Sequence, residues 1–388
     1  MKQFLVFSIA LFWWVSSLSQ IITGAEQTNR YLPLLQDKRV AVCFNPTSVI
    51  GKIHLVDTLL SAYINIVKIF APEHGFRGEA EAGAVIQSTT DAKTGIPIVS
   101  LYGKNKKPTL EQLKNVDIIL FDMQDVGCRF FTYISTLHYV MEAAAAAKTP
   151  VLILDRPNPN GYFVDGPVLE EKYKSFVGMH SVPVVHGMTI GEYAQMINGE
   201  KWLENNLACE LQIIDCKNYT HSSRYSLPIK PSPNLSSDEA IFLYPSLCLF
   251  EGTDISLGRG TSTPFQIFGH PDLTIGDFYF TPEPIKGVSE NPPQKGKKCR
   301  GFDLTNEAKN NLQGNNSFNL SYLIMAYKHF PKEMKFFTSP DFFDKLAGNS
   351  TLRWQIINGR TEEEIRASWQ PALDNFKKTR SKYLIYPE

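Results

Sequence analysis

Several carboxylate, imidazole and amide side chains come directly after short apolar runs of this sequence. Glu73 and His74 follow one such run, Asp125 follows another, and Asn158 follows a third. Carboxylates and histidines are the side chains that most often transfer protons as general acids and bases. If the fold gathers these residues, the chemistry they suit is acid–base catalysis on a polar or sugar-like ligand.

A parallel α/β sheet would bring them together. Short runs rich in Val, Ile and Leu alternate with helical patterns, which is typical of strands covered on both faces. The predicted strands are 40–44, 64–71, 96–102, 116–123 and 150–155, and the predicted helices between them are 53–63, 109–115 and 133–147. Such sheets bind ligands beyond the carboxyl ends of their strands. We therefore predict one polar rim that extends from Asn45 to Asn158.

The regular alternation weakens near residue 205, which divides the chain into two predicted parts. Residues 20–205 are expected to form a Rossmann-like, doubly wound parallel sheet, and residues 206–388 a smaller α+β subdomain that completes a cleft. In the second part, Pro and Gly are frequent through 228–301. Its predicted helices lie near 318–329, 340–347 and 361–382.

Residues 1–19 have the pattern of a signal peptide. Lys2 precedes the apolar run 4–15, which is shorter than the roughly 20 residues of a membrane-spanning helix, and Ser17 and Ser19 suit cleavage before Gln20. We predict an exported protein, periplasmic or extracellular after cleavage, with no stable membrane anchor. An uncleaved N-terminal anchor is the alternative.

Composition and missing motifs argue against several classes of protein. The 388 residues include 39 basic and 39 acidic ones, and a net charge of zero disfavours a nucleic-acid binder. Residues 44–52 contain neither GxGxxG nor GxxxxGK[ST], and the chain lacks GxSxG, CxxC and HExxH. We therefore expect no cofactor and no metal site. Six scattered cysteines leave the disulfide pairing open, and the oligomeric state is not predicted.

The proposed rim residues also have structural explanations. Glu73 could cap a helix or pair with Arg77, and His74 could be a hydrogen-bonded packing residue. Asp122 lies within a strand, where an internal salt bridge is as reasonable as catalysis. Asp125 begins a loop and is the better site residue of the two aspartates.

Residues further along the chain divide between structural and functional interpretations. Thr189 and Glu192 have the spacing of a capping box, so a structural role is favoured for Glu192. His186, just before this box, remains open between packing and function.

Two arginines could bind an anion. Arg129 precedes the predicted helix 133–147, so an anion beside it would also gain from the helix N-terminus, although a surface position is the alternative. Arg259 shares a glycine-rich loop with Glu251, and it could hold an anion or only a neighbouring carboxylate.

Long stretches of the sequence resemble one known family. The matching stretches include APEHGFRGEAEAG (71–83), DIILFDMQDVGCRFFTYISTL (117–137), LDRPNPNG (154–161), PVVHGMTIGEYA (183–194), PSPN (231–234) and FEGTDISLGRGTSTPF (250–265). In this order they resemble the exo-β-N-acetylmuramidases of the NamZ type, long known as the domain of unknown function DUF1343. The resemblance covers nearly the whole mature chain.

The resemblance implies an exo-acting glycoside hydrolase. Such an enzyme releases terminal, non-reducing N-acetylmuramic acid from peptidoglycan fragments such as MurNAc-β-1,4-GlcNAc, with its active site in the cleft between two subdomains. The family's catalytic glutamate corresponds to Glu73, which would protonate the glycosidic oxygen as general acid. We expect His74 to act beside it as a further catalytic residue, and the second participant to be Asp125, a water molecule or the substrate's own acetamido group.

The remaining site residues are expected to bind substrate. They are Arg77, Arg129, Tyr133, Asn158, His186, Asn234, Glu251 and Arg259. N-acetylmuramic acid carries a lactyl carboxylate, so an arginine in the cleft is expected, and the three arginines of this set are the candidates. Aromatic residues such as Tyr102, Phe131 or Tyr133 would contact the sugar.

Two other functions stay open at this point. One is a non-catalytic envelope protein that binds muropeptides in the same cleft. The other is a metal-dependent hydrolase that uses His74, His186 and Asp125 and loses activity in a chelator. For the exo-muramidase and for the binding protein, the predicted partner is a peptidoglycan-derived saccharide. A small ligand and not a nucleic acid is expected for all three functions.

Overall fold

The computed structural model describes residues 20–73, 75–77, 89–312 and 318–388. The predicted signal peptide and His74 lie outside these ranges. The described strands are β1 Arg39–Phe44, β2 Val49–Ile50, β3 Ile53–His54, β4 Asn65–Ala71, β5 Thr89–Thr90, β6 Pro97–Ser100, β7 Ile118–Asp122, β8 Val151–Leu154, β9 Leu211–Ile214, β10 Ile267–His270, β11 Phe278–Phe280 and β12 Cys299–Asp303. The described helices are α1 Thr28–Leu35, α2 Leu55–Ser61, α3 Leu110–Leu113, α4 Tyr133–Ala147, α5 Ile190–Gly199, α6 Asp238–Leu247, α7 Thr305–Asn311, α8 Ser321–Lys328, α9 Pro340–Ala347, α10 Thr351–Ile357 and α11 Glu362–Arg380.

The main sheet is doubly wound, as predicted. In the part of the chain that the structure describes, it contains seven strands in the order β5-β6-β4-β1-β7-β8-β9. Every neighbouring pair is parallel except β5 with β6. Val42 of β1 pairs with Ile69 of β4 on one side and with Leu120 of β7 on the other. The chain therefore builds outward from β1 in one direction and then in the other, and such a reversal is where these sheets bind ligands.

Burial explains why the central strands are so apolar. All five residues of β7 and the last five of β1 are buried, because helices cover both faces of the sheet. Helix α4 covers one face and ends as predicted, with Lys148 in the left-handed conformation at a φ of 55°. The strong apolar signal thus comes from strands that have no solvent-exposed face.

One strand of the main sheet lies beyond the boundary predicted at residue 205. Strand β9 pairs in parallel with β8, with Leu152 opposite Gln212. Because β9 is an edge strand with only its last residue fully buried, its sequence LQII gives a short and weak apolar signal. The first sheet therefore continues to residue 214.

The second part of the chain is α+β, as predicted. Strands β10, β12 and β11 form an antiparallel sheet, helices α8 to α11 follow it in the chain, and Tyr322 of α8 contacts Phe268 of β10. Helix α11 begins with a capping box between Thr361 and Glu364, and its buried Trp369 and Leu373 face the core. In the described ranges, no helix is long and apolar enough to cross a membrane.

Candidate active site

A cleft at the carboxyl ends of β4, β6 and β7 gathers five of the predicted site residues. Its volume is about 300 Å³, and its walls include Glu73, Tyr133, Asn234, Glu251 and Arg259. Glu73 follows β4 and Tyr133 is the first residue of α4, whereas the other three come from the second part of the chain. A larger cavity of about 600 Å³ lies beside α8 to α10, and none of the predicted site residues lines it. The smaller cleft is therefore the candidate active site.

Aromatic side chains make up much of the cleft wall. They include Tyr102, Phe131, Tyr133, Phe176, Tyr244 and Phe342. The edge of Phe131 meets Tyr133 with ring centroids 4.8 Å apart, which fixes both rings. Rigid aromatic faces of this kind offer a surface on which the apolar face of a sugar ring can pack.

Glu73 is held in the cleft by hydroxyl groups. The Thr132 Oγ1 atom donates a hydrogen bond of 3.2 Å to Glu73 Oε2. The Tyr102 side chain is also hydrogen-bonded to Glu73, and burial together with the nearby carboxylate raises the pKa of this tyrosine. The carboxylate is therefore oriented from two sides and remains only partly buried.

Two neighbouring features of the sheet position these groups. Strand β4 ends at Ala71, and Pro72 cannot continue the ladder because it has no N–H group. Thr132 is the N-cap residue of α4, which follows β7. Since only β1 separates β4 from β7, the end of β4 meets the start of α4, where the partial positive charge of the helix N-terminus favours a carboxylate.

Tyr133 and Asn234 form hydrogen bonds within the cleft wall. The Tyr133 hydroxyl donates to the carbonyl oxygen of Pro231 at 3.2 Å. The Asn234 Nδ2 atom donates to the carbonyl oxygen of Val288 at 3.2 Å, whereas its Oδ1 atom is buried with no partner among the described residues. A buried acceptor of this kind is normally satisfied, so a ligand donor or a water molecule suits this position.

Glu251 and Arg259 form an ion pair on the cleft wall. The Arg259 Nε atom donates to Glu251 Oε1 at 2.9 Å, and Nη2 donates to the same oxygen. The Arg259 guanidinium also lies 4.9 Å from the centroid of the Phe265 ring. Of the two interpretations of Arg259, the structure shows the contact with a neighbouring carboxylate.

Asp125 and His186 lie behind the cleft and do not line it. The Gly127 N–H donates to Asp125 Oδ2 at 2.6 Å, and burial raises the pKa of Asp125 to about 7. His186 Nε2 is 3.7 Å from the same Oδ2 atom. Its Nδ1 atom accepts the Met188 N–H at 3.2 Å, and burial lowers its pKa to about 3. Asp125 is predicted to take part in catalysis and His186 to bind substrate, but the structure turns both side chains into the protein, away from the cleft.

Asn158 packs against the turn at Gly127 from the protein interior. Its Nδ2 atom donates to the carbonyl oxygen of Met188 at 2.9 Å, and its Oδ1 atom accepts the Asn160 N–H at 2.8 Å. Gly127 has a φ of 76°, and a Cβ atom there would lie 2.4 Å from the Asn158 side chain. The prediction that Asn158 binds substrate is corrected accordingly, since its amide is used on both sides within the core.

Arg77 does not line the cleft either. Its Nε and Nη2 atoms each donate to Asp91 at 3.1 Å, and Nη2 is 3.5 Å from Asp57. With two carboxylates already beside it, this guanidinium is committed to the protein rather than to a ligand. His74, the neighbouring residue of the predicted site, lies outside the described residues.

Arg129 is fully buried and joins the two parts of the chain. Its Nη1 atom donates to the carbonyl oxygens of Pro167 and Val182 at 2.8 and 2.7 Å, and Nη2 donates to that of Leu346 at 2.7 Å. Burial lowers its pKa to about 9. Gly348, at a φ of 83°, leaves room for it, since a Cβ atom there would lie 2.7 Å from Nη2. Neither a surface position nor a ligand contact, the two alternatives expected for Arg129, fits this placement.

Asp122 and Glu192 both have structural roles. Asp122 forms an internal salt bridge, with its Oδ2 atom 2.8 Å from Nη2 of Arg156. Glu192 completes the predicted capping box with Thr189, and its Oε1 atom also accepts from His221 at 2.9 Å and from the Ile385 N–H at 2.8 Å. Among the described residues, no group of three His, Cys, Asp or Glu side chains could hold a metal ion.

Sequence reasoning missed several residues of the cleft wall, and Thr132 and Phe342 are two different cases. Thr132 could have been found, because it directly precedes the predicted helix at 133–147, where N-cap residues lie. Phe342 belongs to α9, more than 200 positions away, and no local pattern connects it with the rim.

Comparison with known proteins decides the family. Residues 40–239 match the family described as "Exo-beta-N-acetylmuramidase NamZ, N-terminal", and residues 242–386 match its C-terminal counterpart. The chain belongs to the NamZ family. The family predicted from the sequence motifs, and with it the prediction of an exo-β-N-acetylmuramidase, is confirmed.

Relatives match this chain over nearly their whole length. The chain is 40% identical over 373 residues to the "Peptidoglycan beta-N-acetylmuramidase NamZ" of Bacillus subtilis strain 168, covering 92% of this chain and 89% of that one. Two crystal structures of DUF1343 family proteins from Bacteroides fragilis NCTC 9343 are also similar. One is 48% identical with a TM-score of 0.88, covering 95% of this chain and all of the other. The second is 30% identical with a TM-score of 0.79, covering 94% and 99%.

Proposed function

We propose that this chain hydrolyses the glycosidic bond of a terminal, non-reducing N-acetylmuramic acid in peptidoglycan fragments such as MurNAc-β-1,4-GlcNAc. The observation that carries the proposal is the position of Glu73, a hydroxyl-oriented carboxylate in an aromatic cleft at the reversal point of the sheet. The family supports it, and so does the name of the Bacillus subtilis relative, a peptidoglycan β-N-acetylmuramidase.

Glu73 acts as general acid in this proposal. It donates its proton to the glycosidic oxygen as the bond to the leaving sugar breaks, and positive charge develops on the ring of the N-acetylmuramic acid, which water then attacks directly or after the acetamido group. Thr132 and Tyr102 fix the carboxyl group for this transfer, and a fixed geometry removes part of the entropic barrier.

Asp125 is not the attacking group in this proposal. Asp125 is buried behind the cleft wall, and a nucleophile must contact the sugar carbon directly. A water molecule or the acetamido oxygen of the substrate therefore completes the reaction. Glu251, the other described carboxylate of the wall, is engaged by Arg259.

The size of the cleft supports an exo mode of action. A volume of about 300 Å³ is at the small end for a ligand site, which suits one terminal sugar better than the middle of a polymer. Its aromatic walls suit the apolar face of the sugar, and Asn234 offers a buried amide oxygen for a sugar N–H or O–H donor.

We also propose export of the mature chain to the periplasm or the extracellular space. The pattern of residues 1–19 supports this, and peptidoglycan is assembled outside the cytoplasmic membrane. N-terminal sequencing of the protein recovered from a cell fractionation is the test. A mature chain that begins at Gln20 in an exported fraction is expected, and an intact N-terminus in the cytoplasm would contradict it.

The test of the activity uses two disaccharides that differ only in the order of their sugars. MurNAc-β-1,4-GlcNAc and GlcNAc-β-1,4-MurNAc are incubated with the protein, with and without a chelator, and the products are identified by mass spectrometry. Release of N-acetylmuramic acid from the first substrate alone, unchanged by the chelator, is expected. Binding without release would favour a non-catalytic binding protein, and activity lost to the chelator and restored by metal would favour a metal-dependent hydrolase.

A further inference from the structure

One cation on the cleft wall can contact an anionic sugar. Among the described residues that line the cleft, Arg259 is the only cation; of the two carboxylates, Glu251 is paired with it, and Glu73 carries a proton in the proposed general-acid role. A neutral sugar needs no such cation. N-acetylmuramic acid differs from N-acetylglucosamine by a lactyl group that ends in a carboxylate.

The Arg259 guanidinium is held in one orientation but is not fully used. Two of its nitrogen atoms donate to a single oxygen of Glu251, and its flat face packs on Phe265. Its Nη1 atom has no hydrogen-bond partner within the described ranges, and 21% of the side chain stays exposed. A guanidinium has five N–H donors, so a second carboxylate can bind here while the first remains in place.

The other arginines expected at the site are committed elsewhere. Arg77 is paired with Asp91, and Arg129 is buried against backbone carbonyl groups. A lysine is the remaining rival, because the Lys106 ammonium group lies 4.3 Å from the centroid of the Phe176 ring at the edge of the cleft. Lysine offers a point charge on a flexible stem and lacks the planar fork that matches a carboxylate.

We propose that Arg259, oriented by Glu251, binds the lactyl carboxylate of the terminal N-acetylmuramic acid and thereby selects this sugar over N-acetylglucosamine. The inference rests on the proposed function and assigns its specificity to one side chain. Glu251 is a positioning residue, since it acts through the guanidinium. Because hydrogen bonds to charged groups are stronger than neutral ones, loss of this contact is expected to lower the affinity for the sugar roughly 10- to 100-fold.

The experiment compares three chromogenic substrates. They are the p-nitrophenyl β-glycosides of N-acetylmuramic acid, of its lactyl methyl ester and of N-acetylglucosamine. The enzymes are the wild type, Arg259→Met, Arg259→Lys and Glu251→Gln, with Lys106→Met as the test of the rival cation. For the wild type, kcat/KM is expected to be highest on the acid and at least tenfold lower on the ester.

Arg259→Met is expected to lose this preference. Its kcat/KM on the acid should fall roughly 10- to 100-fold, mainly through KM, while its kcat/KM on the ester stays within about threefold of wild type. Arg259→Lys should recover only part of the preference, Glu251→Gln should weaken it, and Lys106→Met should keep it. An equal loss on acid and ester in Arg259→Met, or loss of the preference in Lys106→Met, would overturn the proposal.

A binding measurement separates this inference from the proposed activity. Calorimetry with free N-acetylmuramic acid and with N-acetylglucosamine needs no turnover. If the wild type hydrolyses nothing yet binds the acid more tightly, and Arg259→Met abolishes that difference, the specificity stands and the proposed hydrolysis fails. Equal affinity of the wild type for the two sugars would overturn the specificity, whatever the activity.

Discussion

The hydroxyl of Thr132 donates a hydrogen bond to the carboxylate of Glu73 over 3.2 Å, although the two residues are 59 positions apart in the chain. Thr132 is the N-cap residue that directly precedes α4, and Glu73 comes two positions after β4 ends. The contact thus joins two neighbouring loops at the carboxyl edge of the sheet, and it makes the start of a helix part of the proposed catalytic machinery.

Removing the hydroxyl groups that orient Glu73 should slow the reaction without unfolding the protein. In Thr132→Val and in Tyr102→Phe, kcat is expected to fall by roughly fivefold each, because one hydrogen bond of this kind contributes about 1 kcal/mol. Steady-state kinetics on the disaccharide measures this effect. The control is Tyr63→Phe, a change at a ring that is 93% exposed. A kcat within twofold of wild type in both cleft variants would contradict the account.

Arg129 is predicted to support stability rather than substrate binding. Arg129→Met leaves the carbonyl oxygens of Pro167, Val182 and Leu346 without their donors, which should lower the free energy of unfolding by about 3 kcal/mol or more. The relief from no longer burying a charge offsets only part of this loss. Urea denaturation measures the change.

The matched control for Arg129 is Arg360→Met. Arg360 forms a surface ion pair with Glu364, and such pairs contribute about 1 kcal/mol or less. If Arg129→Met were as stable as Arg360→Met, the buried arginine would not hold the two parts of the chain together.

A buried histidine pair should make the fold less stable in mild acid. His138 Nδ1 and His180 Nε2 are 3.0 Å apart, and the second imidazole stacks on Trp202 at 4.5 Å. Burial lowers the pKa of both histidines, and repulsion from Lys174 lowers it further. Glu142 raises the pKa of His138 but does not cancel the effect of burial.

The sign of the pH effect follows from where protons bind. The unfolded histidines take up protons near pH 6.5, and the folded ones do so only at lower pH, so the unfolded state binds more protons in between. Stability is therefore lost as the pH falls below about 6.5. Between pH 7 and 5.5 the loss should be about 1 kcal/mol for each histidine whose protonation the fold prevents.

The measurement is chemical denaturation of the wild type and His180→Gln at both pH values. The variant is expected to be less stable at pH 7 but to lose less stability on acidification. An unchanged pH dependence in the variant would show that the pair does not cause the effect.

Much of the fold could be predicted because its signals are local. The strand 40–44 is fully buried and the strand 64–71 largely so, and helix 133–147 begins and ends at the predicted residues, since an apolar run and then Lys148 mark its bounds. Strand β9 was missed because an edge strand needs few apolar residues. The carboxyl-end rule then correctly located Glu73 at the rim.

The direction of each rim side chain could not be predicted in the same way. Asp125 turns inward because the Gly127 N–H binds its carboxylate, and that turn fits only against Asn158. The buried Arg129 donates to the carbonyl oxygen of Leu346, which is 217 positions away in the chain. Contacts of this kind depend on the assembled core, whereas Arg259 and Glu251, eight positions apart in one loop, are placed by a local turn.

The central claim is that Glu73 donates the proton that cleaves the glycosidic bond, and one comparison tests it most directly. Release of N-acetylmuramic acid from MurNAc-β-1,4-GlcNAc is measured for the wild type, for Glu73→Gln and for Glu171→Gln, whose side chain is 84% exposed in a surface ion pair. Calorimetry follows binding of the disaccharide to the same proteins. Glu73→Gln is expected to bind the disaccharide but to lose roughly 10²- to 10⁴-fold in kcat, while Glu171→Gln should match the wild type. A Glu73→Gln enzyme that keeps more than a tenth of the wild-type kcat would contradict this claim.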